Sequence, residues 1–253
     1  MAVQTVFRRY ELKYLLTREQ KKKVLEAMKP NMRIDQYGKT TIRNLYYDTD
    51  NYLLIRRSIE KPVYKEKLRI RSYARVSGDS PVFVELKKKF EDVVYKRRIC
   101  LPNTNALAWL SGENACDDQD QIAREIDYFC SLHGPLHPTV FLCYDREAYY
   151  AVDGTDFRVT FDDTILCRQE DLSLASESYG TPLLPEGMTL MELKCSGGIP
   201  LWLTEVLSRE RIYKTSYSKY GTAYKTLIFP KIHPEKMTPE VTTNARKMVS
   251  GNL

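Results

Sequence analysis

Residues 64–98 constrain the fold more than any other stretch of this 253-residue chain. They carry eleven Lys/Arg against five Asp/Glu, an excess of six that equals the +6 formal charge of the whole protein, so the rest of the chain is balanced. The charge is patterned. Lys65, Lys67, Arg69, Arg71 and Tyr73 share one parity, and Leu68 and Ile70 hold the other. Side chains of a strand point alternately to its two faces, so this alternation predicts a strand. Residues 82–89 repeat it, with Val82, Val84 and Leu86 opposite Glu85, Lys87 and Lys89. Residues 93–98 follow after a short turn. Three consecutive antiparallel strands, each with a cationic face, are expected. Such a face is either a solvated outer surface, ordinary for an antiparallel sheet, or a concave surface that holds a polyanion. Parity alone does not separate the two.

The same alternation recurs elsewhere. Residues 6–16 predict a strand with Phe7, Arg9, Glu11 and Lys13 on one face and Tyr10, Leu12 and Tyr14 on the other. Thr17 and Gln20 form a capping-box pattern before a helix that Pro30 stops. A strand is expected over 41–47, with a turn at 48–51, while 52–59 reads equally as helix or strand. Further strands are expected over 139–150, 157–163 and 189–194. Helices are expected over 104–110, after Asp117 or Asp118 up to Gly134-Pro135, over 201–207 with Pro200 at their start, and from Ser216 or Ser218 through Ala223. Gly197-Gly198 reads as a strand-to-helix turn. The tally is about eight strands with no βαβ rhythm and no GxGxxG, which points to an antiparallel α+β domain over 1–230 followed by a polar tail over 231–253. Charged faces in a closed barrel could line a wet lumen, with helices covering the apolar faces.

Composition narrows the function. The six cysteines contain no CxxC and the three histidines are isolated, which argues against a zinc site. No signal peptide and no apolar run near 18 residues is read, so no membrane span, reduced thiols and a cytoplasmic location are expected. The cationic strand faces carry few aromatics on which bases could stack, which argues against a nucleic-acid partner.

Nine stretches in order resemble the vacuolar transporter chaperone (VTC) domain, a branch of the triphosphate tunnel metalloenzymes. They are RYELKYLL (9–16), LYYDT (45–49), KLRIRSY (67–73), VFVELKKK (82–89), YKRR (95–98), YDRE (144–147), FRVTFDD (157–163), MELK (191–194) and SYSKYGTAY (216–224). The resemblance implies a closed antiparallel eight-stranded β-barrel with flanking helices, whose tunnel binds triphosphate-like anions. It implies a polyphosphate polymerase-like activity that draws on ATP and a divalent metal, Mn²⁺ or Mg²⁺. One departure stands out. The wider superfamily opens with Glu-x-Glu-x-Lys, and this chain has Arg9-x-Glu11-x-Lys13, which weakens a two-metal hydrolase and favours the VTC branch.

Roles carry over on matching positions. Arg69, Arg71, Lys87, Arg146 and Arg158 are implied to act on the transferred phosphoryl group. Lys13, Lys96, Tyr144, Ser218 and Lys219 are implied to bind phosphate, and Glu192 is implied to hold the metal. Glu11 and Glu85 are the next carboxylate candidates, and Asp162 could equally be a strand-end cap. These residue types suit the chemistry, because phosphoryl transfer asks mainly for positioning and charge neutralisation, and arginine's planar fork pairs with phosphate oxygens. The expected partners are ATP and polyphosphate, with inositol phosphates and a membrane-protein partner also admitted. A triphosphatase and a non-catalytic polyphosphate or inositol-phosphate binding module remain as alternatives.

Overall fold

Alternating sequence becomes strand along this chain. The computed structural model describes residues 10–91, 93–116 and 120–236. In chain order the elements are β1 (Tyr10–Leu16), α1 (Arg18–Met28), β2 (Met32–Asp48), α2 (Leu53–Ile59), β3 (Tyr64–Ser72), β4 (Pro81–Phe90), β5 (Val93–Pro102), α3 (Asn103–Ser111) and α4 (Gln121–His133). They continue as β6 (His137–Ala151), β7 (Arg158–Arg168), β8 (Thr181–Pro182), β9 (Thr189–Cys195), α5 (Leu201–Arg209), β10 (Lys214–Thr215), α6 (Lys219–Ala223), a π-helical turn (Tyr224–Ile228) and α7 (Phe229–Ile232). Of the tail expected over 231–253, only the part up to Lys236 lies within the described residues.

The α+β expectation holds, but the strand count does not. The sheet has ten strands in the order β10-β1-β9-β7-β6-β2-β3-β4-β5, with β8 paired to β7 off that path. β8 and β10 are two residues each, too short to show in an alternating pattern. The path runs from β10 to β5, so an eight-stranded closed barrel is not what the described pairings draw. Other boundaries shift for local reasons. β2 begins at Met32, well before the expected residue 41. α4 is capped by Asp120, whose carboxylate accepts from the Ala123 amide at 2.8 Å, while Asp117 and Asp118 lie outside the described residues. The undecided segment 52–59 is helical, because the Asp48 carboxylate accepts from the amides of Leu54 and Ile55 at 2.9 and 3.0 Å and satisfies the first turn of α2. The Thr17/Gln20 capping box forms as its sequence predicts.

The chain divides into two compact units. One takes the residues up to Thr40, Tyr144–Ile165 and those from Pro182 onward. Its core places Val24 and Met28 of α1 and Leu203, Val206 and Leu207 of α5 with the apolar parity of three strands, namely Tyr14 and Leu16, Val159 and Phe161, and Met191 and Leu193. The charged parity of those strands is left on the opposite face. The other unit takes Thr41–Cys143 and Leu166–Thr181. Here Leu68, Ile70, Val82, Val84, Leu86 and Ile99 pack with Trp109 of α3 and Ile126 and Phe129 of α4. Full burial of side chains of this size contributes about 1.5–3 kcal/mol each, so the apolar parity sets which face each strand turns inward.

A buried arginine anchors the segment after β7 in this second unit. The Arg168 side chain is 1% exposed. It donates to the backbone carbonyls of Asp171, Glu177 and Tyr179 at 2.9–3.2 Å. Its guanidinium lies 3.7 Å from the ring centre of Phe141 and 4.2 Å from that of Tyr179. Every polar direction of the buried ion is therefore met, which burial of a charge requires. The same turn brings Gly180 against β7 with φ +142°, where an added Cβ would lie 2.4 Å from the Cys167 carbonyl oxygen. We expect Gly180→Ala to destabilise the protein by about 1–3 kcal/mol, the cost of a strained backbone position. The control is Gly154→Ala, also at positive φ but with nothing within 4 Å of its Cβ. A smaller drop in urea midpoint for Gly180→Ala than for Gly154→Ala would contradict the close approach.

Candidate functional site

In the first unit the charged parity of four strands meets at Glu192. Lys13 on β1 is the register partner of Glu192 on β9, and Thr160 on β7 is its partner on the other side. Arg146 comes from β6, and Lys219 from the first residue of α6. The Glu192 carboxylate lies 3.4 Å from the ammonium groups of Lys13 and Lys219, 3.6 Å from that of Lys194 and 3.7 Å from the Arg146 guanidinium. Arg146 also forks onto Asp162, with bonds of 2.6 and 2.7 Å, and Lys219 reaches the same carboxylate at 2.5 Å. Four cations thus surround two buried carboxylates. Tyr144 lies beneath two of them, its ring centre 4.6 Å from the Lys219 ammonium and 5.1 Å from the Arg146 guanidinium. A ring face attracts cations, so Tyr144 steadies them where a third carboxylate would cancel them.

Protonation follows this geometry. Burial raises the affinity of Glu192 for a proton, but Lys219, Lys13, Lys194 and Arg146 outweigh it and hold the carboxyl well below its usual range. Asp162 is lowered in the same way, burial being overcome by Lys219 and Arg146. Lys219 is raised, because its carboxylate neighbours outweigh its burial. Lys194 is lowered, since burial and Arg146 together exceed the pull of Glu192.

The second unit repeats the design on the basic meander. β3, β4 and β5 pair so that Arg69, Glu85 and Arg98 form one cross-strand row and Lys67, Lys87 and Lys96 the next. Glu85 has 1% side-chain exposure. It accepts from Arg69 Nε at 2.9 Å and Nη2 at 2.8 Å, and meets Lys96 at 2.6 Å and Arg71 at 3.9 Å. Arg69 is further held by the Tyr46 hydroxyl at 2.9 Å, and Arg71 donates from Nε to the Asn44 side-chain oxygen Oδ1 at 2.9 Å. The side chains of Arg69 and Arg71 are 17% and 8% exposed, whereas Lys96 and Arg98 on the same face are exposed. Lys88 and Arg97, on the opposite parity, instead meet Glu125 of α4 at 3.5 and 3.2 Å.

The structure therefore brings Lys13, Tyr144, Arg146, Glu192 and Lys219 together in one unit and Arg69, Arg71 and Lys96 in the other, with Lys87 in the row beside Glu85. Arg158 starts β7, and its register partner is Lys194. The Ser218 hydroxyl caps α6 by accepting from the Gly221 amide at 3.1 Å, while Ser216 lies outside the helix. Arg9 lies outside the described residues, so the departure at the first position of the motif has no structural counterpart here. Asp162 and Lys194 were the residues that sequence reasoning undervalued. Their signal was present as parity, Asp162 with Arg158 and Thr160, and Lys194 with Glu192. Glu85 was ranked third among carboxylates, yet it is the centre of its cluster.

The model of the VTC domain family matches residues 8–228. Among solved structures, the chain is similar to a candidate adenylate cyclase from Bacillus halodurans, with 16% identity, coverage of 83% of this chain and 95% of that chain, and a TM-score of 0.51. It is also similar to a candidate adenylyl cyclase from Hippeastrum described as having a dominant triphosphatase activity, with 15% identity, coverage of 91% and 97%, and a TM-score of 0.50. At these identities the likeness shows a shared fold. No curated protein matches the chain.

Lys96 gives this geometry a pH signature. Burial pulls its ammonium down to about 8, and Arg71 and Arg69 add to that pull, because the single Glu85 carboxylate is shared among three cations. Its charge is present below that value and is lost as pH rises through it, whereas an unfolded lysine would keep its proton to about 10.4. Tripolyphosphate binding should weaken above about pH 8 in the wild type and less so in Lys96→Arg, which stays charged. Titrating both proteins with the same ligand cancels the ligand's own protonation. Superimposable pH profiles would rule out the Lys96 assignment.

Proposed function

We propose that this chain, which belongs to the VTC domain family, transfers the γ-phosphoryl group of ATP to a polyphosphate chain held on its cationic strand faces, with the help of a divalent metal. A tunnel of the kind the family resemblance implies is part of this proposal. The observation that carries it is the buried Glu192 centre. Four cations there share two carboxylates, so the site keeps an unneutralised positive charge away from bulk water. Polyphosphate and the triphosphate of ATP are anions that supply repeated negative charge at short spacing, and desolvated cations pair with them more strongly than solvated ones do. Lys13, Lys194 and Lys219 act as point charges on phosphate oxygens. Arg146 is held in orientation by its fork onto Asp162, and Arg69 and Arg71 are held likewise by Glu85, Tyr46 and Asn44. Positioned cations of this kind are what a loose phosphoryl-transfer transition state needs, since its charge is spread over the equatorial oxygens.

The residues fit a divalent ion of the Mg²⁺ or Mn²⁺ type. Glu192 would be its protein ligand. Across the register, the buried Thr160 hydroxyl has no hydrogen-bond partner among the described residues, which leaves a second hard oxygen at the same place. No group of three His, Cys, Asp or Glu side chains that could hold a metal occurs among the described residues. Phosphate oxygens and water would supply the remaining ligands of such an ion. Once bound, it would supply neutralisation of charge on the phosphoryl oxygens.

Water as acceptor is the second reading, favoured by the fold shared with the Hippeastrum protein. Incubation with ATP and Mn²⁺ followed by sizing of the products on a gel separates them. Long-chain polyphosphate supports the transferase, orthophosphate alone supports the hydrolase, and no turnover with intact anion binding supports a binding module. Glu192→Gln should leave metal-free tripolyphosphate binding in place, since it only removes negative charge. It should lower Mn²⁺-dependent turnover by about a hundredfold or more, because the metal's charge stabilisation amounts to several kcal/mol. Turnover near the wild-type rate would remove Glu192 from the metal and move the search to Glu11 and Glu85.

A further inference from the structure

Arg168 and Arg43 are both buried in the second unit, and the fold treats them differently. Arg168 has its polar directions met by backbone carbonyls. Arg43 of β2 is 8% exposed, yet it makes no hydrogen bond or ion pair among the described residues. Its Nε is sealed from solvent without a partner, and so is the hydroxyl of Ser72 on β3, a residue 2% exposed. The two unmet groups belong together. Arg43 and Ser72 are register partners across the β2–β3 ladder, and side chains paired in this way stand about 4.5–5.5 Å apart at Cβ.

Parity separates this row from the Glu85 centre. The adjoining row of the ladder is Asn44 with Arg71, whose side chains bond each other at 2.9 Å on the opposite face. On the face of Arg43 the next rows are Leu45 with Ile70 and Tyr47 with Leu68, all four in the apolar core. The sheet itself therefore stands between Arg43 and Arg71. The Arg43 row closes the apolar core at its margin. Nε is sealed there, while Nη1 and Nη2, which also lack partners, keep contact with solvent.

Arginine does not shed its proton in a protein, so the charge of Arg43 persists against the core. A buried charge without a partner is costly, and no carboxylate offsets this one. A water molecule would satisfy the nitrogens but leave the charge. A small oxyanion meets both needs, because it accepts the planar fork of the guanidinium and the Ser72 hydroxyl proton while cancelling the charge. One fork and one hydroxyl suit a single anionic group and not a chain.

We propose that Arg43 and Ser72 form a binding site for one small oxyanion of the phosphate type, on the face of β2–β3 turned away from the Glu85 centre. The site stands independently of the polyphosphate reading. It binds the folded protein alone, so it makes the stability of the protein depend on phosphate by mass action.

The test is urea unfolding of the full chain at rising inorganic phosphate, with ionic strength held constant, for wild type, Arg43→Met and Ser72→Ala. Comparing variants cancels whatever phosphate does at the other cationic centres. With a bulky organic sulfonate as the only anion, Arg43→Met should unfold at no lower urea than wild type, since an unpaired buried charge is exchanged for an apolar chain. In phosphate the order should reverse. Ser72→Ala keeps the charge and loses one donor to an anion, so it should need about tenfold more phosphate for the same rise in midpoint. This variant carries the test by itself if Arg43→Met does not fold. Midpoints of wild type and Arg43→Met that rise in parallel would overturn the site. A wild-type phosphate dependence retained unchanged by Ser72→Ala would overturn it too. So would a difference between wild type and Arg43→Met that is as large in chloride as in phosphate, because charge screening, not a fork on an oxyanion, produces that pattern.

Discussion

Like charges cannot be gathered under cover unless something of opposite sign is buried with them, and that constraint shapes both units. An isolated ion taken out of water costs several kcal/mol even after relaxation. Glu192 and Asp162 offset that cost for Lys13, Arg146, Lys194 and Lys219, and Glu85 does so for Arg69, Arg71 and Lys96. The offset is deliberately incomplete in charge count. Full neutralisation would leave an inert ion-pair network, and no neutralisation would drive the lysines to shed protons. The partial state, with carboxylates held ionised by their cations, leaves an excess of positive charge for the anion site proposed above.

Much of this was legible as parity. Arg69, Arg71 and Lys87 on one side of the meander, with Leu68, Ile70 and Leu86 on the other, predicted strands, faces and a cationic surface together. Glu192 was singled out by the family resemblance, and parity added that it shares a strand face with Lys194. The paired partners were harder to see. Nothing local in the sequence says that Glu85 will sit between Arg69 and Arg98, because cross-strand register depends on turn lengths and on which neighbour a strand selects. Asp162 looked like a cap because it stands near the end of the segment predicted as strand. β7 in fact continues to Arg168, which puts Asp162 mid-strand and opposite Arg146. β8 and β10 were invisible for a different reason, since two residues carry no period.

Arginine and lysine divide the work within these clusters. The buried arginines are each fixed by a fork onto a carboxylate or by amide and phenol oxygens, so their planes have defined orientations. Lys219 bridges Asp162 and Glu192 while Lys13, Lys194 and Lys96 each meet one carboxylate, and an ammonium group can turn toward a new oxygen without leaving the site. Under the proposed function, a phosphate arriving at the Glu192 centre would meet a rigid Arg146 and three adjustable point charges. This arrangement suits a repeating anion that must be held at many positions and released from each, because no single lysine contact dominates.

The same reasoning explains why the centres need both a buried carboxylate and a cation excess if chain growth is their task. A polyanion that displaced every carboxylate contact would be held so tightly that it could not advance. One that found only neutral pairs would not enter. With Asp162 occupied by Arg146 and Lys219, and Glu192 shared among four cations, each phosphate competes with a resident carboxylate for the same donors. Binding then becomes an exchange of one anion for another at nearly constant local charge. Exchange lowers the net gain at any one register and so flattens the barrier between successive registers.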